Sequence, residues 1–328
     1  MREFTIGDMT INDDSPAYCL AELSHNHMGS YELAREMIRL AAEAGASGVK
    51  FQKRGRTTYD GLRKAGEGSY ADMREAREFS SEDYFNLACY AHRFGLHFVA
   101  TAFDFESADF LMGTGMAPDA IKIASGDVKN TPLLRYVARL GLPMIVSTGG
   151  ATMAEVLNAW EVLGDSMDDW SRFCILACTS SYPCSIQNAN LRTIETYRHR
   201  TTQLIGLSCH LHRDRAAWSA CAAYALGARL LEYHFTMTPD IGNGEHAFGV
   251  TPRVLREMVT ALGELRVAMG DGVKRCLDEE ALGGLRLGKK LTYARGLPAG
   301  HVLEEGDIAV VAPGNGLAPY HLDSLIGK

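Results

Sequence analysis

The chain is expected to fold as an α/β protein, a (β/α)8 barrel followed by a small β-rich module. Three observations predict this: short apolar runs alternate with longer amphipathic segments, eight such runs occur before position 275, and the rhythm breaks after it. The runs are 17–24 (AYCLAELS), 47–53 (SGVKFQK), 96–103 (LHFVATAF), 120–125 (AIKIAS), 143–148 (PMIVST), 174–181 (CILACTSS), 204–210 (LIGLSCH) and 229–235 (RLLEYHF). Eight strands, each paired with a helix, fit a closed barrel better than an open doubly wound sheet, which usually has fewer strands.

Between the runs lie helical patterns. In 31–44, Ser30 can cap, Leu33, Met37, Leu40, Ala41 and Ala44 form one apolar face, and Gly45 ends the helix. The segment SSEDYFNLACYAHRFG reads the same way, with Ser81 as cap and Gly95 as terminator. No GxGxxG or GxxxxGK[ST] loop follows the first strand, so a dinucleotide or P-loop reading has no support. The barrel domain is expected over 1–275, a linker over 276–286, and the β-rich module over 287–328, resting on the barrel or on a partner subunit because it is too small to stand alone.

The bulk composition narrows the function. At 328 residues and 46% hydrophobic, the chain can bury a large core. Forty acidic against 33 basic residues give a net charge of −7, which argues against broad nucleic-acid binding. The first residues carry no apolar signal region, and no run approaches membrane-spanning length, so a soluble, cytoplasmic protein is expected. Eight cysteines without a CxxC pair read as reduced and mostly buried.

In such barrels the chemistry sits at the C-terminal strand ends. Those ends offer Glu22, Lys50, Thr101, Lys122 with Ser125, Ser147, Thr179 with Tyr182, Ser208 with His210, and Glu232 with His234. Two lysines and several hydroxyls around one mouth make an anion site. Either lysine alone could snorkel at a strand end, but an ammonium flanked by apolar residues on both sides needs an anion. His210 and His234 end adjacent strands and can reach one ion, Mn²⁺ or Zn²⁺, with coordination positions left open. Cys209 points the other way if the strand persists, and His212 falls beyond the strand end. Arg54, Arg56, Arg213 and Arg215 near the mouth read either as solvated loop charges or as contacts for an acidic group on a substrate.

These strand ends resemble those of the sialic acid synthase family. The likeness rests on AELSHNHMGSYELAREMIRLAAEAGASGVKFQ, ATAFDFESADFL, IKIASGDVKNTPLLRYVARLGLPMIVSTGGATMAEV, CTSSYP, GLSCH and LEYHFT in the family's order. The tail, from LPAGHVLEEGDIAVV to LIGK, resembles the start of the family's antifreeze-like (SAF) domain but stops sooner. The resemblance implies a metal-dependent enzyme, Mn²⁺ being the expected ion, that joins phosphoenolpyruvate to a sugar aldehyde and releases phosphate. It implies phosphoenolpyruvate contacts at Lys50, Thr101, Lys122, Ser125, Ser147 and Ser208, metal ligands at His210 and His234, and catalytic or pocket roles for Glu22, Asp127, Tyr182 and Glu232. It also implies a homodimer.

Departures from the family pattern cluster on the acceptor side. Cys209 stands where an aspartate is common, Ser180 replaces an asparagine, Ala312 replaces the arginine that contacts the acetamido group across the dimer, and GEGSYADMREARE offers no counterpart to an expected asparagine. An acceptor other than N-acetylmannosamine is therefore expected. The alternatives are an ordinary nonulosonate synthase that makes the acetamido contact differently, and a catalytically silent anion-binding relative.

Overall fold

The computed structural model describes every residue except Met1, Met116, Gly242, Asn243, Gly314 and Asn315. The last two belong to the PGNG motif of the tail, which therefore lies partly outside the described residues.

The chain starts with a hairpin, β1 (Glu3–Ile6) and β2 (Met9–Asn12), joined through Gly7 at φ +55°. A two-residue connection with a glycine at positive φ suits the twist of such a pair. Eight parallel strands then close a barrel: β3 (Tyr18–Ser24), β4 (Gly48–Lys53), β5 (His97–Ala102), β6 (Ala120–Ile123), β7 (Met144–Ser147), β8 (Phe173–Cys178), β9 (Ile205–Cys209) and β10 (Leu230–His234). β10 pairs with β3 to complete the ring. Seven of the eight expected runs contain one of these strands whole, and the eighth, 174–181, misses only Phe173 at the start of β8.

Period-two alternation sorts the strand residues into two populations. Tyr18, Leu20, Val99, Ala120, Ile145, Cys174, Leu176, Leu204 and Leu230 form the lower barrel interior, where they meet Phe4, Ile6 and Ile11 of the hairpin. Their alternates, such as Ala21, Val49, Phe51, Ala100, Ile121, Val146, Leu207 and Leu231, pack outward against the helices. Gly48 faces the interior, where an added Cβ would collide with the Tyr18 hydroxyl, so the phenol fills the space a side chain would need. The hairpin is thus an apolar stopper in the barrel floor. The eight-run pattern does not include it, although Phe4, Ile6 and Ile11 around a Gly-Asp pair carry the signal.

The helix Tyr31–Glu43 is capped by Ser30 as expected, but its buried stripe is Ala34, Met37, Ile38 and Ala41, one step round from the expected face. The helix Ser81–Arg93 is capped by Ser80 rather than Ser81: the Ser80 hydroxyl accepts from the Asp83 amide at 3.1 Å while the Asp83 carboxylate accepts from the Ser80 amide at 3.1 Å. Two further helices, Arg56–Lys64 and Gly68–Glu75, occupy the connection from β4 towards it.

The chain forms two compact units, Met1–Ala268 and Met269–Lys328. The second contains the helix Asp278–Leu287 and an antiparallel pair, β11 (Lys290–Tyr293) and β12 (Ile308–Val311). Its polar anchor is Asp307, whose carboxylate accepts from Arg295 Nη2 at 2.7 Å, His301 Nε2 at 2.6 Å and the Glu304 amide at 3.0 Å. All eight cysteines of the chain are free thiols.

Candidate active site

The alternation that builds the floor also builds the site. Two residues beyond the floor layer, seven of the eight strands, all but β8, point a polar side chain inward: Glu22 follows Leu20, Lys50 follows Gly48, Thr101 follows Val99, Lys122 follows Ala120, Ser147 follows Ile145, Ser208 follows Gly206, and Glu232 follows Leu230. All seven line one cavity of about 610 Å³ at the C-terminal end of the barrel.

The lysines meet carboxylates of the protein itself. Lys50 pairs with Glu22, donates to Thr101 Oγ1 at 3.1 Å, and lies 3.8 Å from Glu232. Lys122 donates to Ser147 Oγ at 2.6 Å and reaches Glu232 Oε1 only at 3.5 Å. Ser208 donates to the same Glu232 oxygen at 2.9 Å, and Gln52 Nε2 donates to Glu22 at 2.9 Å. Glu232 Oε2 is buried without a hydrogen-bond partner.

Burial and pairing oppose each other across this network. Burial works against the Glu232 carboxylate, but Lys122 and Lys50 hold it at about 2. At Glu22 burial wins and the carboxyl titrates above its ordinary value despite Lys50. Lys50 is pushed up because Glu22 and Glu232 outweigh its desolvation, whereas Lys122 is pushed down by burial that Glu232 only partly offsets.

The two histidines sit together above this layer, ring centroids 5.3 Å apart. His210, just past β9, donates Nδ1–H to the Thr179 carbonyl at 2.8 Å, which leaves the Nε2 lone pair available. His234 Nδ1 is buried without a partner, and burial keeps that ring neutral down to about 3 against the pull of Glu245. His210 is shifted the other way: against its burial, Cys178 and the Thr179 carbonyl push it above the usual imidazole range. Two imidazoles side by side, each with a nitrogen not used by the protein, fit a divalent metal, which would bind His210 in competition with its proton. Among the described residues no group of three His, Cys, Asp or Glu side chains is arranged to hold one, so water and substrate would complete the coordination.

Tyr182 lies against His210 with the rings tilted by 45° and their centroids 4.1 Å apart, and Ser125 lines the wall while accepting from the Gly149 amide at 3.0 Å. The strand-end Thr179 does not line the cavity and donates its hydroxyl to the Asn188 carbonyl at 2.9 Å, and Asp127 does not reach it either. Asp127 ends the tight turn Ser125–Asp127 and accepts from Asn130 Nδ2 at 3.1 Å instead. Cys209 lies in the outer shell beside Ser219, as the alternation requires, and His212 faces Asp214 outside the cavity. Arg56, Arg213 and Arg215 do not line the cavity, whereas Arg54 does.

Among the lining residues outside the set expected from the sequence are Gln52, Arg74 and Glu245. Gln52 is within reach of the strand argument, standing two residues beyond Lys50. Arg74 comes from the helix Gly68–Glu75 and Glu245 from the short turn Gly244–Ala247, where no periodicity points to a site. Arg74 Nη2 donates to Glu245 Oε1 at 3.0 Å, and the Ser24 hydroxyl donates to the other carboxylate oxygen. Against its burial, His234 and Arg74 hold Glu245 well below the usual carboxylate range.

Comparison with known proteins agrees with this architecture. The family model described as the NeuB family matches residues 37–274, and the SAF domain matches residues 291–328. The spore coat polysaccharide biosynthesis protein SpsE of Bacillus subtilis is 33% identical over 99% of this chain and 92% of its own length. An N,N'-diacetyllegionaminic acid synthase of Legionella pneumophila is 30% identical over 95% of this chain and 89% of its own. The crystal structure of an N-acetylneuraminic acid (sialic acid) synthetase from Leptospira borgpetersenii superposes with a TM-score of 0.75 at 28% identity, covering 86% of this chain and 95% of that one.

Proposed function

Because the chain belongs to the NeuB family, we propose that its barrel condenses phosphoenolpyruvate with a sugar-type aldehyde to give a 2-keto-3-deoxy acid and phosphate. The observation that carries this reading is the convergence in one cavity of two buried lysines, a ring of hydroxyls and a pair of adjacent imidazoles. Lys50 and Lys122 hold the anionic groups of phosphoenolpyruvate, with Thr101, Ser125, Ser147 and Ser208 donating to its oxygens. The Lys122–Glu232 contact is long, 3.5 Å, which leaves the ammonium able to take a second anion beside the carboxylate. His210 and His234 would hold a divalent ion, Mn²⁺ in this reading, which when bound supplies Lewis acidity at the aldehyde oxygen.

In the reaction, C3 of phosphoenolpyruvate bonds to the aldehyde carbon as the C2–C3 and carbonyl π bonds break, the aldehyde oxygen takes up a proton, and water adds at C2 with loss of one. The bond from C2 to the bridging oxygen of the phosphate then breaks, and phosphate leaves into the lysine cradle. Glu22, whose carboxyl titrates high, is suited to take the proton of the adding water, and Glu232, held ionised between the lysines, steadies positive character at C2. Tyr182 closes the wall beside His210.

The acceptor is proposed to differ from N-acetylmannosamine, on the sequence departures at Ser180 and Ala312. A phosphate-release assay with phosphoenolpyruvate, Mn²⁺ and an aldehyde panel tests both parts. N-acetylmannosamine as best substrate would end the altered-acceptor proposal, and no release from any aldehyde would favour an anion-binding protein without turnover. Replacing His234 with alanine is expected to lower turnover by about a hundred-fold or more and to weaken Mn²⁺ binding in parallel, measured by the free-ion paramagnetic resonance signal. We further propose a cytoplasmic homodimer. Light scattering that returned the mass of a single chain would reject the dimer.

A further inference from the structure

The cavity carries a second basic wall apart from the lysines. Its lining includes four cations, Lys50, Lys122, Arg54 and Arg74, against three carboxylates, Glu22, Glu232 and Glu245. Lys50 pairs with Glu22, Lys122 with Glu232 and Arg74 with Glu245. Arg54 is left over: among the described residues no carboxylate lies within 4.0 Å of its guanidinium, although the side chain is only 8% exposed.

Its neighbours compensate only in part. Arg54 Nη1 donates to Gln52 Oε1 at 3.1 Å and lies 3.4 Å from His25 Nε2, and its guanidinium carbon is 3.7 Å from the Phe103 ring centroid. An aromatic face and neutral acceptors offset only a fraction of what an unpaired buried charge costs. Arg74, equally buried, commits Nη2 to Glu245 and leaves Nε and Nη1 without hydrogen-bond partners. A counter-charge is therefore missing from a wall whose donors are already in place.

We propose that the second substrate is itself an anion, an aldose bearing a phosphate or a carboxylate, seated on Arg54 with further hydrogen bonds from Arg74. This rests on the phosphoenolpyruvate-plus-aldehyde reading, since that reaction leaves the lysines to the first substrate and the remaining wall to the second.

Calorimetric titration tests it with Mn²⁺ present and phosphoenolpyruvate absent, so that nothing turns over. The probes are mannose 6-phosphate, mannuronate and mannose. At least one anionic aldose is expected to bind about ten-fold or more tighter than mannose, the worth of one charge-assisted hydrogen bond. The tighter of the two identifies the anionic group. Arg54→Gln should abolish the preference, and Arg54→Lys, which keeps the charge, should restore part of it, so that a mere folding defect in the first variant is recognised. Equal affinity for all three aldoses, or a preference that survives Arg54→Gln, overturns the proposal. So does an equal loss of phosphoenolpyruvate affinity in Arg54→Gln, which would assign Arg54 to the first substrate. Failure of the condensation reading is seen separately, as absence of phosphate release in the wild-type protein.

Discussion

Lys50→Met is expected to abolish phosphate release and to destabilise the barrel by about 3–5 kcal/mol, the cost of leaving one partner of a buried ion pair alone. The stranded partner is Glu22, 1% exposed and already titrating above its ordinary value with Lys50 beside it. Without the ammonium its folded-state value rises further. The direction of the pH dependence follows: below the unfolded value, about 4.3, the carboxyl is protonated in both states and adds no penalty. Above it the unfolded state ionises first in both proteins, and the variant's deficit opens where wild-type Glu22 ionises and grows until the variant's higher folded value is passed. Urea unfolding of wild type and variant across acidic to neutral pH checks this, and a deficit independent of pH would reject the account. Adding Glu22→Gln to Lys50→Met should recover much of the stability but none of the turnover, separating the two roles of the pair.

The second large effect lies at the other end of the barrel. Phe4→Ala is expected to cost about 3–5 kcal/mol, as truncation of a fully buried aromatic does. Phe4 is wholly buried among Leu20, Val99, Ile145 and Leu230, and the hairpin that carries it has only four-residue strands with which to hold its place. Chemical unfolding measures the loss. A change below about 1 kcal/mol would mean that the floor closes without the stopper, because such truncations are cheap only where a site can collapse.

What the sequence made legible follows from how the signal arises. Strand positions were readable because apolar runs of buried parallel strands are bounded by turns, and the polar residue at each strand end then marked the mouth. Glu22, Lys50, Thr101, Lys122, Ser147, Ser208, Glu232 and His234 all lie on strands, where alternation alone decides direction. Asp127 lies on a tight turn, where it does not, and it bonds Asn130 instead of entering the cavity. Arg74 and Glu245 meet across 171 residues of sequence, a distance no local pattern spans. The hairpin's strands are too short for periodicity to accumulate, although Gly7 marks the turn.

The stopper also governs traffic. Among the described residues, Phe4, Ile6 and Ile11 cork the floor end, so the chamber is reached from the C-terminal ends of the strands, and whatever lies deepest must arrive first and depart last. The lysines stand directly above the cork, while Arg54, Arg74 and Tyr182 come from segments nearer the entrance. Phosphoenolpyruvate queued behind the sugar would have no way round it, so an aldose that occupies its own wall first should block turnover: initial-rate kinetics should show phosphoenolpyruvate productively entering ahead of the aldehyde, with inhibition by excess aldehyde competitive against phosphoenolpyruvate, and random order would mean a second passage exists.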